Sequence, residues 1–318
     1  MKTKFPELDP KKLSTCSLTN RVSLVSESDF ARPWTPGAGL SELLARLPGF
    51  LAANDLKAVI AAVVCAARAR KTVILGMGGH VVKTGLAPLL TDLMDRGVIS
   101  LFAVNGSVIV HDTEIALIGK TSENVAAALP EGRFGTARET AEFLCRAVQD
   151  AEARKIGLGR AVGEALLSEG APFAERSLLA SAARRGVPVT VHEAFGTDVW
   201  HIHPGFDPAA CGAATHRDFL AFAGAVATLS QGVIINAGSA VILPEVFLKA
   251  LSLSRNLGHR VTGFTAVNLD MVRQYRPMQN VVGRPVSEGG QGIHITGHHE
   301  IMIPLLCAGI VEGLEARE

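Results

Sequence analysis

The sequence predicts an α/β fold, a doubly wound and mostly parallel sheet, and three observations carry that prediction. Uncharged β-type runs alternate with helical segments from residue 70 onward, the order that builds parallel strands through crossover helices. Each β-run ends in a small or polar cluster, as strand carboxyl ends do where a parallel sheet holds a ligand. The composition, 48% hydrophobic and 19% charged with 32 glycines in 318 residues, fits a sheet buried on both faces.

The elements follow in order. Residues 1–38 are rich in proline, serine and charge without clear periodicity, and read as an arm that docks on the body or on a neighbouring subunit. Leu40–Arg70 is helical, broken near Pro48. Strand Thr72–Leu75 ends in Gly76-Met77-Gly78-Gly79, helix Thr84–Arg96 follows, and strand Ile99–Val104 ends in Asn105-Gly106-Ser107. His111 begins a helical stretch that Gly119 stops, a C-terminal helix signal. Beyond a glycine- and proline-punctuated connection, helices are expected at Thr136–Ile156, Gly159–Glu169 and Arg176–Arg185. Strand Val187–His192, helix Thr215–Leu229, strand Gly232–Asn236, helix Pro244–Leu257 and strand Gly263–Val267 continue the alternation. A glycine-rich loop, Glu288–Gly292, and a helix, Glu300–Glu315, close the chain. No repeat or linker divides residues 39–318, which read as one domain.

Several function classes are disfavoured. A net charge of +1 gives no whole-chain electrostatic footprint for nucleic acid or an anionic membrane. The uncharged span Phe219–Pro244 is interrupted by glycines, Gln231 and Asn236, and parses as buried helix, turn and strand rather than a membrane helix. The five cysteines are scattered with no CxxC pair, which points to free thiols in a reducing cytoplasm. Cys65, Cys145 and Cys307 lie in apolar helical runs and are expected in the core. The polar N-terminus shows no secretory signal.

The polar residues that remain sit where strands stop. Gly76–Gly79 is neither GxGxxG nor, with Lys83-Thr84, a Walker A loop, but a glycine turn before a helix lets a phosphate approach backbone N–H groups. His111-Asp112-x-Glu114 lies at an expected helix start, where acids favour the dipole and His111 or Glu114 is placed to bond a ribose or a reacting amine. Lys83 and Lys120 follow glycines and are the lysines nearest the rim. The segment from His192-Glu193 to His203 is the densest in polar groups; His201 and His203 alternate about Ile202 and would share one face of an extended strand. With His294, His298, His299 and Glu300 they offer imidazole and carboxylate ligands, yet no zinc spacing is matched and no metal ligand is assigned.

Over about residues 70–310 these motifs resemble the deoxyhypusine synthase family. Gly78-Gly79-His80 before Lys83-Thr84-Gly85 is similar to its turn before an SSG helix. Val187-Pro188-Val189 followed by Gly196-Thr197-Asp198 is similar to its IPVF and glycine-aspartate, Gly232–Gly238 to its GMIILGG strand, and Gly283-Arg284-Pro285 to its GARP. The first half is also similar to the NAD-binding domain of the archaeal and cyanobacterial ornithine cyclodeaminase type. That type carries GPxxxHTG and GNAxAxHDIE, where this chain has Gly79–Gly85 and Asn105–Glu114. The resemblance implies a Rossmann-like fold, NAD bound at subunit interfaces and a homotetramer. It departs at the family's catalytic lysine: Ser287–Gly292 stands where WGK is expected, and Leu243-Pro244 replaces a paired histidine. The resemblance therefore implies that the NAD fold persists and that deoxyhypusine synthesis is lost.

The expectation is a cytoplasmic oligomer that transiently oxidises a small amine or amino acid at a C–N carbon. Gly78, Gly79, His80, Asn105, Gly106, Ser107, Gly238, Ser239 and Asp270 would contact NAD. Asp198 would hold the substrate cation, His111 or Glu114 would move the proton, and His201 is a further candidate. Two alternatives stay open: a non-catalytic NAD-binding oligomer, and a metal-dependent hydrolase using His201/His203 and His298/His299/Glu300.

Overall fold

The computed structural model describes residues 5–316. From residue 40 the chain runs α1 (Leu40–Arg46), α2 (Ala52–Arg68), β1 (Val73–Met77), α3 (Gly79–Lys83), α4 (Ala87–Asp95), β2 (Leu101–Asn105) and α5 (Gly106–Ile118). It continues through α6 (Val125–Ala128), α7 (Arg138–Arg154), α8 (Leu158–Ser168), α9 (Leu178–Arg185), β3 (Val189–His192) and α10 (Pro208–Ala227). It ends with β4 (Val233–Ala237), α11 (Ile242–Asn256), β5 (Thr265–Asp270), α12 (Tyr275–Asn280), β6 (Gln291–Thr296) and α13 (His299–Glu315).

The six strands form one sheet in the order β3-β2-β1-β4-β5-β6, with every pair parallel. This is the doubly wound Rossmann-like order, and the direction of winding switches between β1 and β4. Strand residues alternate between two apolar layers. Val73, Leu75, Met77 and Val104 pack with residues of α2, α4, α5 and α13. Ile74, Ala103 and Ile234 pack with Phe222, Leu243 and Phe247 of α10 and α11. Burial on both faces is why the β-runs carry no charge.

The outer edge of β3 is closed by α10. Asp218 accepts the Val191 N–H at 2.9 Å and the Gly159 N–H at 2.9 Å, while Thr215 Oγ1 donates to Val191 O at 2.7 Å and accepts from the Glu193 N–H at 3.0 Å. Edge groups that would template another strand are thereby occupied.

Five expected strands are present, and the structure adds a sixth. Gln291–Thr296 overlaps the expected glycine-rich loop; its half-buried pattern, Ile293 and Ile295 inward with His294 and Thr296 between, is that of an edge strand. The expected helix Thr84–Arg96 starts later, at Ala87, and is preceded by the short α3 (Gly79–Lys83), with Gly85 at φ +82° between the two. His111 is not at a helix start: α5 begins at Gly106, five residues earlier. Helix α10 also starts early, at Pro208, where Asp207 caps two N–H groups. Cys65 is exposed, not in the core, whereas Cys145 and Cys307 are buried as expected. Of the arm, residues 10–29 carry three short 3-10 turns, and backbone bonds from Gly49 to Asp29 and from Arg32 to Arg46 tie its end to α1; residues 1–4 lie outside the described part. Among the described residues no helix is long and apolar enough to cross a membrane.

Candidate functional site

The carboxyl ends of β1, β2 and β3 open onto a cavity of about 260 Å³ lined by Lys83, Ser107, His111, Glu114, Thr197 and Asp198 among others. Ser107, His111 and Glu114 stand at i, i+4 and i+7 on α5, one face of the helix. Gly79 lets the β1 turn approach that face, and Gly78 lets it approach the turn after β4. A Cβ on Gly78 would lie 2.6 Å from Gly238 O, and one on Gly79 would lie 2.6 Å from Ser107 Oγ and 3.0 Å from His111 Cδ2. Asn105 ends β2 and accepts the Ser107 hydroxyl at 2.9 Å.

A chain of hydrogen bonds fixes His111. Thr121 Oγ1 donates to Glu114 Oε2 at 2.5 Å, so its lone pair takes the His111 Nδ1 proton at 2.7 Å. The imidazole is thus held as the Nδ1–H tautomer with Nε2 as the acceptor. Burial first, then the Lys83 and His80 charges, hold His111 below its ordinary value of 6.5, so the neutral ring prevails at pH 7. Asp112, on the opposite side of α5, faces away from the cavity and is fully buried. It accepts the Ser177 hydroxyl and the Leu178 and Leu179 N–H groups, capping α9.

The loop after β3 brings a second polar group to the cavity wall. Its 3-10 turn, Val199–Ile202, begins at Asp198 and folds His201 back toward Glu193, so that His201 Nε2 lies 3.3 Å from Glu193 Oε2. The Glu193 side chain is fully buried, and burial raises both its carboxyl and that of Asp198 well above the carboxylate range, with the Glu193 charge raising Asp198 further. A Cβ on Gly106 would lie 2.2 Å from both Glu193 Oε2 and Asp198 Oδ2; only glycine leaves room for the pair. The extended strand expected for His201 and His203 is absent, because the turn directs them apart. His203 Nδ1 accepts the Gly205 N–H at 3.1 Å and faces Cys145.

The remaining expected residues lie outside the cavity, His80 on α3 after β1 and the others across the switch point. His299 covers Gly238, is fully buried, and points Nε2 at Leu269 O, 3.2 Å away. Ser239 Oγ caps α11 by accepting the Leu243 N–H at 3.1 Å, and Asp270 accepts the Met271 N–H at 2.7 Å. His80 stacks against His299 with ring centroids 5.6 Å apart. Asn236, Asn268 and His294 stand in register on β4, β5 and β6 and bond to one another, at 2.7 Å and 3.0 Å. These strand-end polar groups hold the sheet. His298 is exposed beside Glu300, and among the described residues His298, His299 and Glu300 form no metal-ligand group.

Thr121 and Glu193 escaped the sequence reading of the site. Glu193 was visible within the polar segment but carried no spacing signal. Thr121 lies beyond the Gly119 stop, where no periodicity links it to α5. Lys83, one of the two lysines nearest the rim in the sequence, lines the cavity.

No family profile and no curated protein matches the sequence, but solved structures share its fold. A complex of AgrE with ornithine and NAD+ superposes with a TM-score of 0.54 at 12% identity over 84% of this chain and 34% of that one. ArgZ, an arginine dihydrolase of the cyanobacterial ornithine-ammonia cycle, gives 0.51 at 14% identity with the same coverage. A candidate deoxyhypusine synthase from Entamoeba histolytica gives 0.53 at 11% identity over 89% of this chain and 96% of that one. The chain spans about a third of the length of AgrE and ArgZ and nearly all of the Entamoeba protein. Both folds named by the motif resemblance therefore recur as structural neighbours.

Proposed function

We propose that the protein is an NAD-dependent enzyme that transforms a small amine or amino acid by transient oxidation at a nitrogen-bearing carbon. One observation carries this reading: the acceptor Nε2 of a neutral imidazole and the carboxylate of Asp198 border the same small cavity at the carboxyl ends of parallel strands. The shared fold with a protein that binds ornithine and NAD+ supports it.

The cavity volume divides the ligands. About 260 Å³ suits an amino acid or short amine and is too small for a whole dinucleotide, so NAD would lie along the open rim. His80, Asn105 and Ser107, all half-exposed at the ends of β1 and β2, would hold it there, with the bare Gly78 and Gly79 admitting close approach. Across the switch point Gly238 and Ser239 would contribute shape and backbone, since the Ser239 hydroxyl is engaged by the Leu243 N–H, and Asp270 would offer its Oδ2, its Oδ1 accepting the Met271 N–H.

When bound, NAD supplies the hydride acceptor. The chain supplies charge and proton handling. Asp198 faces the substrate ammonium, a carboxylate being its natural partner. Lys83, at the mouth, is placed to meet a carboxylate of an amino-acid substrate. His111 Nε2 takes the ammonium proton, freeing the nitrogen lone pair, and Thr121 with Glu114 keeps the ring in the tautomer that can accept it. A homo-oligomer in a reducing cytoplasm is part of the same reading, supported by free cysteines.

The test is a panel of amines and amino acids mixed with NAD+ and the protein, watched for absorbance of reduced nicotinamide. Turnover or a transient supports an enzyme, with His111→Ala reducing the rate by about 10²-fold or more. NAD+ binding without any redox signal across the panel would favour the non-catalytic oligomer instead.

A further inference from the structure

We propose that Glu193, Asp198 and His201 form a binding site for one divalent first-row transition ion, of which Zn2+ and Mn2+ are the probes. Their ligand atoms lie within 4.8 Å of one another. The 3.3 Å between His201 Nε2 and Glu193 Oε2 matches the edge of a tetrahedron with bonds of about 2.1 Å. A mixed set of two carboxylates and one imidazole suits such an ion better than magnesium or calcium, which take oxygen alone.

Orphaned buried atoms are the independent sign of a ligand. Both carboxylate oxygens of Glu193 and Nε2 of His201 are buried without a hydrogen-bond partner, and the two side chains are 0% and 4% exposed. Among the described residues no lysine or arginine forms an ion pair with either carboxylate; the basic group beside them is the neutral imidazole of His201. Two acids buried together without a counter-charge are costly, and a dication bound between them removes that cost. Gly106 leaves the space in which they meet.

Binding has defined consequences in the chain. His201 Nδ1 now accepts the Gly196 N–H at 3.3 Å, which places the ring proton on Nε2. An ion at Nε2 moves that proton to Nδ1 and releases Gly196, in a loop whose residues 195–197 are exposed. Asp198 also borders the cavity, so the ion and a substrate ammonium compete for it.

The test uses full-length, tag-free protein stripped with a chelator, then titrated with Zn2+ or Mn2+ without NAD or substrate. We expect one equivalent of ion to stay with the chain through gel filtration and to raise its melting temperature. Glu193→Gln and His201→Ala should each weaken binding by about tenfold or more. A Cys16→Ser/Cys65→Ser double variant, which removes the two exposed thiols, should bind as before. Retention well below one equivalent overturns the proposal, whatever the variants do, as does binding that survives both ligand substitutions. Neither result bears on NAD binding, which is measured separately.

Discussion

Thr121 Oγ1 stands 2.7 Å from Nδ1 of His111 and passes its own proton to Glu114, so a threonine outside the helix decides which nitrogen of the imidazole faces the cavity. Because the Lys83 charge lowers the His111 pKa, removing it raises that pKa. In Lys83→Met the acidic limb of the rate profile should therefore move to higher pH, and in wild type it should lie below 6.5. Thr121→Val should cut kcat by about tenfold or more with little change in fold. Identical pH profiles for wild type and Lys83→Met would remove His111 from the proton transfer.

Asp112 is the next test, of stability rather than rate. Asp112→Ala strands a hydroxyl and two N–H groups at the start of α9, each a cost of about 1–3 kcal/mol. The denaturation midpoint should fall by several degrees, and Asp112→Asn, which keeps an acceptor oxygen, should lose less. An unchanged midpoint in the alanine variant would show that the cap is replaced.

Asp218 predicts a pH dependence of stability. Burial raises its carboxyl from 3.8 to about 7 despite backbone donors at Gly159, Val191 and Leu158. A folded-state pKa above the unfolded one means that the native chain holds the extra proton between these values. Stability should then fall as pH rises from about 4 through about 7, by up to about 1.4 kcal/mol per unit for this one group. Buried Glu193, beside it, has the same sign. Asp218→Asn keeps an acceptor for the edge strand and should flatten the profile measured by urea denaturation; an equally steep profile would contradict the assignment.

The sheet was legible because β-runs buried on both faces carry no charge, and because each ends in glycine or a polar residue. The edge strand β6 was hidden by its own exposure: Gly289, Gly290 and Gly292 around it read as a loop, and only Ile293 and Ile295 face inward. The face of Ser107, His111 and Glu114 was written in the sequence at helical spacing, but it needed the helix start at Gly106. Contacts between distant segments were not legible. Nothing in the local pattern brings Glu193 to Gly106, Thr121 to His111, or Asp112 to Ser177, since loop geometry makes each of these pairs. Polar strand ends such as Asn236 and Asn268 carried the signal of a ligand rim, yet they bond to each other.

The central claim is that NAD lies along the rim beside Gly79 and Ser107. Calorimetric titration of the purified protein with NAD+ and NADH tests it most directly. The account predicts saturable binding of at least one form, weakened by about tenfold or more in Ser107→Trp, whose indole would fill the rim while the fold persists by circular dichroism. No heat of binding with either form, or affinity unaltered by that substitution, would contradict it.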